Sequence, residues 1–224
     1  MRSLKELYKI GKGPSSSHTI GPEMVCQYVI RKHGKQKYRV DLFGSLALTG
    51  KGHGTDRVIK SVLGDDTVIN FVPEFSKERH PNTMEVYRLA GDTCEKLLTA
   101  ESVGGGSVRI DGKLYPETKE VYPQKSFDEV VKFCREYNLR LSEYASFYEN
   151  GIEDYALEVW KVMKESVIRG LTTEGVISGG LNLYRKAKAL YGAEAKYETA
   201  IMRENRKISA YALAVAEENA DNGV

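Results

Sequence analysis

The chain has 224 residues, 41% hydrophobic and 29% charged, and its 33 Lys+Arg against 31 Asp+Glu leave a net charge of +2. That length allows one large or two small domains of ordinary globular composition, and the near-neutral charge gives no electrostatic case for nucleic acid or an anionic membrane. No apolar run approaches the roughly 20 residues of a membrane span, and Met1-Arg2-Ser3-Leu4-Lys5-Glu6 lacks the apolar core of a signal peptide.

Ser3-Leu4-Lys5-Glu6 has the form of a capping box and predicts a short first helix, because Ser and the Glu three residues on can satisfy orphan amides. Pro22 begins a second helix, which puts Val25, Tyr28 and Val29 on one face and ends near Gly34. His33, beside Gly34, is a helix C-terminal residue favoured by the dipole and no site candidate. Tyr38-Arg39-Val40-Asp41-Leu42 alternates as a strand with one buried face. After a glycine-rich loop at 50–56, Thr55 or Asp56 caps a helix carrying Val58, Ile59, Val62 and Leu63. Strands are expected at 68–72, 84–89 and 96–103. Gly104-Gly105-Gly106 reads as a turn between strands, and residues 108–115 as a hairpin on an Asp-Gly type I′ turn.

All six prolines lie at or before Pro123, and helical periodicity takes over beyond it. That shift predicts an α+β unit at 1–122 and an all-helical segment at 123–224. In the second part Ser126-Phe127-Asp128-Glu129 is another capping box, leading into Val130, Val131 and Cys134. Residues 152–168 repeat Tyr155, Val159, Met163 and Val167 at helical spacing. Helices at 181–191 and 201–220 complete a small bundle. The last is apolar on more than one face, which requires a partner on each side. Cys26, Cys94 and Cys134 form neither a disulfide framework nor a self-contained zinc or iron–sulfur site, since an odd count without CxxC spacing suits neither. Cys26 and Cys134 read as buried, inert thiols, and the reducing cytoplasm fits best.

Three of the four histidines sit in short polar segments, each bounded by glycine or proline: Gly13-Pro14-Ser15-Ser16-Ser17-His18-Thr19, Thr49-Gly50-Lys51-Gly52-His53-Gly54-Thr55-Asp56, and Arg79-His80-Pro81-Asn82-Thr83. A buried hydroxyl or imidazole without a hydrogen-bond partner costs stability, so three such segments imply loops converging on a polar ligand. The first precedes a helix N-terminus suited to a carboxylate or phosphate. Its spacing is not that of a nucleotide-binding P-loop. In the second, Lys51 can pair a carboxylate, His53 can move protons, and Asp56 can orient one of them. Glu217-Glu218-Asn219 reads as a solvated helix face.

These motifs, with Phe43-Gly44-Ser45-Leu46-Ala47 and Ser102-Val103-Gly104-Gly105-Gly106, resemble in order and spacing the β-domain of bacterial iron–sulfur-dependent L-serine dehydratases. The helical part is similar to the start of that family's α-domain at Glu174-Gly175-Val176, Gly179-Gly180-Leu181, Arg185-Lys186-Ala187 and Tyr211–Asn219-Ala220. The resemblance implies deamination of L-serine to pyruvate and ammonia, with the open iron of a 4Fe–4S cluster acting as Lewis acid on the leaving hydroxyl. It places Ser15, Ser16, Ser17 and Thr19 on the substrate carboxylate or amine, with His18 nearby. Lys51, His53, Thr55 and Asp56 supply charge and proton transfer, and His80 and Asn82 close the pocket. His53 is the first choice of base.

In the family the cluster cysteines follow the Glu-Glu-Asn-Ala segment, and none of Cys26, Cys94 or Cys134 matches them. The expectation is therefore a chain without activity by itself, completed by a cysteine-bearing α-domain or α-subunit. It should expose an apolar stripe around Tyr211, Leu213 and Val215 and self-associate. Two other readings stand beside this one: a stand-alone hydroxy-acid or amino-acid binding module, like the regulatory domain of some bacterial phosphoglycerate dehydrogenases, and a zinc hydrolase built on His18, His53 and His80.

Overall fold

A computed structural model describes residues 1–74, 76–117, 119–178, 182–194 and 197–221. Its centre is a mixed sheet of six strands: β1 (Lys37–Phe43), β2 (Val68–Val72), β3 (Thr83–Ala90), β4 (Thr93–Gly104), β5 (Ser107–Ile110) and β6 (Lys113–Tyr115), in the order β2-β1-β3-β4-β5-β6. Only β1 and β2 run parallel, and a parallel pair needs a crossover rather than a hairpin. Two helices supply it, α2 (Ser45–His53) and α3 (Thr55–Leu63).

Strand alternation lines up the core. Leu42 pairs with Met84, Met84 with Ala100, and Ala100 with Ile110. Against this face pack Val25, Cys26 and Val29 of α1 (Ile20–His33), together with Leu46, Ile59 and Leu63. Each such apolar side chain contributes about 1.5–3 kcal/mol on burial. The opposite face of the sheet is polar and self-compensated. Asp41 is held by Arg39 at 3.2 Å and Asn70 at 2.8 Å, and Glu85 by Lys96 at 2.7 Å and the Tyr87 hydroxyl at 2.6 Å.

Among the described residues, the second part holds α4 (Phe127–Glu136), α5 (Leu141–Tyr148), α6 (Ile152–Thr172), α7 (Ala187–Gly192) and α8 (Ala200–Asp221). Tyr122, Val130, Cys134 and Tyr144 make a second, smaller core. The N-terminal residues belong to this side. The buried Glu149 carboxylate accepts from the Ser3 hydroxyl, the Leu4 amide and the Tyr122 hydroxyl, and Tyr155 donates to the Tyr8 carbonyl. Residues 1–8 are thus a strap from the sheet unit onto the helices. No described helix is long and apolar enough to cross a membrane.

Several expectations need correction. The segment at 50–56 is no loop: Gly50 and Gly52 lie inside α2, and only Gly54 breaks the chain, with φ 73°. Neither Thr55 nor Asp56 is the N-cap of α3, because Gly54 holds that position. The first helix is a single 3₁₀ turn, Leu4–Glu6, capped by Ser3 without help from Glu6, and α1 starts two residues before Pro22. In the helix expected at 181–191, Leu181 lies outside the described residues, as do Gly179 and Gly180. Asn182 has φ 50° and Tyr184 bridges to Val176, so helix begins only at Ala187. Helix α5 has no counterpart among the expected elements. Its short amphipathic run follows Asn138, whose φ of 52° ends α4, and its start signal is the Arg140/Glu143 capping box.

The close approach of α6 and α8 depends on one residue. A Cβ on Gly170 would lie 2.6 Å from both the Cβ and the carbonyl oxygen of Ala214. Backbone cannot yield as a flexible side chain does. Gly170→Ala is therefore expected to cost about 1–3 kcal/mol, read as a lower urea midpoint at unchanged m-value. A wild-type midpoint would show that the two helices do not touch there.

Candidate functional site

The first polar segment folds as a tight turn under α1. His18 donates its amide to the Ser15 carbonyl at 2.9 Å, and its side chain is 6% exposed. The imidazole Nδ1 lies 3.0 Å from the hydroxyls of both Ser15 and Ser17, and Nε2 lies 3.2 Å from Ser45 Oγ and 3.0 Å from Thr49 Oγ1. The Thr49 hydroxyl already donates to the Ser45 carbonyl at 2.8 Å. It must then accept from His18, which puts the ring proton on Nε2 and leaves Nδ1 as the acceptor facing the serines.

The second histidine has the complementary arrangement. His53 Nδ1 lies 3.0 Å from the Thr49 carbonyl, which can only accept, so Nδ1 carries hydrogen and neutral His53 presents a free lone pair at Nε2. The two rings are 4.6 Å apart, centroid to centroid. Their proximity comes from helix geometry: Ser45, Thr49 and His53 are spaced by four on α2 and share one face. Ser45 was legible as part of a motif but not as a site residue. By its glycines the segment at 50–56 reads as loop, and the spacing of four has meaning only on a helix.

The other expected site residues divide into two groups. Some are tied into the framework of the site. The Thr55 hydroxyl donates to the His18 carbonyl at 2.7 Å, and Thr19 Oγ1 is held by the Lys12 and Ser15 carbonyls. The Ser16 carbonyl accepts from the Gly21 amide at 2.9 Å. Others lie away from the pair. Lys51, two positions from both Thr49 and His53, projects from the far side of α2, with its ammonium 5.1 Å from the Phe71 ring centroid. Asp56 accepts from the adjacent Arg57 amide at 2.9 Å, and the Thr49 carbonyl rather than this carboxylate orients His53.

His80 is linked to the pair through backbone. Its Nδ1 accepts from the Asn82 amide at 3.1 Å, and the Pro81 carbonyl accepts from the Ser45 amide at 2.7 Å. Asn82 reaches the Ser102 carbonyl at 3.4 Å, while Asn82 Oδ1 and Ser102 Oγ are buried without a partner. Beside His53 opens a cleft of about 410 Å³, lined among others by Lys12, Thr19, Arg57 and Asp221. The cations at this cleft are Lys12 and Arg57.

The cysteines do not fit an iron–sulfur cluster. Cys26 is in the sheet core, Cys134 in the helical core and Cys94 exposed on β4. Burial pushes the Cys26 thiol up, away from the thiolate that ligates metal. Nor do His18, His53 and His80 make a zinc site, since His18 has both ring nitrogens engaged by hydroxyls. Among the described residues no group of three His, Cys, Asp or Glu side chains is arranged to hold a metal ion.

Burial, and next the nearby His53, push the His18 pKa below its ordinary 6.5. A proton therefore binds the unfolded chain more readily than the folded one. The stability that His18 contributes is present above about pH 6.5 and is lost as pH falls through the lower, folded pKa. The melting temperature is expected to fall on acidification below that point more steeply in wild type than in His18→Gln. Parallel curves for the two proteins would overturn the assignment of His18 as a buried neutral imidazole.

Residues 3–66 match the family described as "Serine dehydratase beta chain". Over the whole length the chain is similar to L-serine dehydratase 2 of Escherichia coli (strain K12), 33% identical across 280 aligned positions that cover 100% of this chain and 61% of the relative. The L-serine dehydratase of Streptomyces coelicolor is 30% identical, covering 99% and 61%, and that of Helicobacter pylori 28% identical, covering 99% and 61%. The chain thus spans about 61% of the length of the curated relatives it matches. On these likenesses residues 3–66 are similar to the serine dehydratase β chain, and the chain is similar along its whole length to the L-serine dehydratases.

Proposed function

We propose that this chain supplies the substrate-closing, proton-handling part of an L-serine ammonia-lyase, which converts L-serine to pyruvate and ammonia. The single observation that carries the reading is the His18–His53 pair, with opposite tautomers imposed by its neighbours, inside a serine dehydratase β-chain domain. His53 Nε2 is the base for the α-proton: its ring is half-buried, its other nitrogen is tied to a carbonyl, and a cleft opens beside it. His18 keeps the hydroxyls of Ser15, Ser17, Ser45 and Thr49 in one orientation, so that they meet a polar ligand already aligned. Lys12 and Arg57 offer the charge for its carboxylate. Loss of the α-proton and of the β-hydroxyl as water leaves aminoacrylate, which tautomerises to iminopyruvate and hydrolyses to pyruvate and ammonia.

The 4Fe–4S cluster that the family resemblance implies would be ligated by a cysteine-bearing α-portion outside these 224 residues, because the cysteines here do not fit one. We assign residues 1–122 and 123–224 as the two working units, placed in the reducing cytoplasm on the strength of three free cysteines. Leu157, Trp160, Ile201, Met202 and Ile208 are all more than half exposed on α6 and α8, and Tyr211 is 38% exposed. This apolar surface supports association with the α-portion or a second copy.

The isolated chain is expected to release no pyruvate from L-serine, with or without anaerobic iron and sulfide. Supplied with the α-portion of a relative it should do so, and His53→Ala should then lower kcat by roughly 10²–10⁴. Pyruvate from the isolated chain, or an unaffected kcat in His53→Ala, would overturn the reading.

A further inference from the structure

The last turn of α8 is built against local preference. Carboxylates at a helix C-terminus oppose the macrodipole, yet Glu217, Glu218 and Asp221 all stand there, with Glu217 3% and Glu218 0% exposed. What holds them is tertiary. Arg185, its side chain 2% exposed, donates to Glu218 and to Asp221, each at 2.6 Å. Arg169 adds a second bond to Glu218 at 2.8 Å, and Glu217 Oε1 accepts the Lys186 and Ala187 amides at 2.6 and 3.2 Å. Glu218 and Asp221 are three apart and share a helix face, so one planar guanidinium fork can take both. Buried charges of this kind are costly unless fully paired, and a local rule broken at such cost marks a place where position matters.

What this turn positions is Asn219, between the pinned residues. Its carbonyl accepts the Gly13 amide at 2.9 Å, and a Cβ on Gly13 would fall 1.5 Å from Asn219 Oδ1. The segment from Gly13 leads directly to Ser15 and Ser17, whose hydroxyls face His18 Nδ1. We infer that Arg185 is a positioning residue for His18: it locks the end of α8, Asn219 seats the first loop, and the loop holds the His18 ring. The inference takes its catalytic meaning from the proposed function, but its content is a coupling that can be read without turnover. The groups facing His18 are His53 from α2 and otherwise hydroxyls, so its titration reports on the loop that shields it.

The test uses the full chain with ¹⁵N-labelled histidine, following the His18 ring nitrogens by NMR across pH. Arg185→Met and Gly13→Ala remove two different links. Both are expected to raise the His18 pKa towards its ordinary value and to weaken the Nδ1-acceptor signature as the loop loosens. Tyr122→Phe, which loses a buried bond to Glu149 far from this chain of contacts, should leave His18 unchanged. If Arg185→Met does not fold, Gly13→Ala decides with the ion cluster intact. An unchanged His18 in folded Arg185→Met or in folded Gly13→Ala, or an equal change in Tyr122→Phe, would overturn the inference. Absence of pyruvate formation when the α-portion of a relative is supplied would count against the proposed function alone.

Discussion

The buried hydrogen bond from the Thr55 hydroxyl to the His18 carbonyl, 2.7 Å long, is the join on which the site depends. It ties the turn before α1 to the first residue of α3, beside the packing of α1 on α3. Gly54 makes the join possible. Its left-handed φ of 73° ends α2 and starts α3 within one residue, so His53 and Thr55 approach His18 from either side of the break. One contributes a ring 4.6 Å away and the other the backbone anchor.

Around that join the polar groups are almost fully committed to one another. Each ring nitrogen of His18 faces two hydroxyls, Thr49 is engaged through its hydroxyl and its carbonyl, and Thr19 is sealed against the loop backbone. Low dielectric strengthens such a network and penalises any member left unpaired. The tautomers are therefore set by neighbours rather than chosen by solvent. Beside this network, His53 borders the cleft.

The helical part joins this network from outside. The end of α8 connects to it by direct contact with Gly13, while the strap at residues 1–8 is held to the helical part at Glu149. Mixed packing of this kind explains why 1–122 and 123–224 differ in composition yet share buried polar contacts such as that of Glu149 with Ser3 and Leu4.

Local chemistry was enough to specify much of the chain. Alternation in Tyr38–Leu42 marked β1 and Asp111-Gly112 marked the hairpin turn, while the serine-rich histidine segments pointed to the candidate site, because each signal acts within a few residues. Two site features required the fold. The face shared by Ser45, Thr49 and His53 exists only once residues 50–53 are helical, a state their glycines argue against and their packing between β1, β2 and α3 imposes. Glu217 and Glu218 read as a solvated face, since nothing nearby in the sequence can neutralise them. Arg185 and Arg169 lie more than thirty and about fifty residues earlier, and only tertiary packing brings their charge to bear.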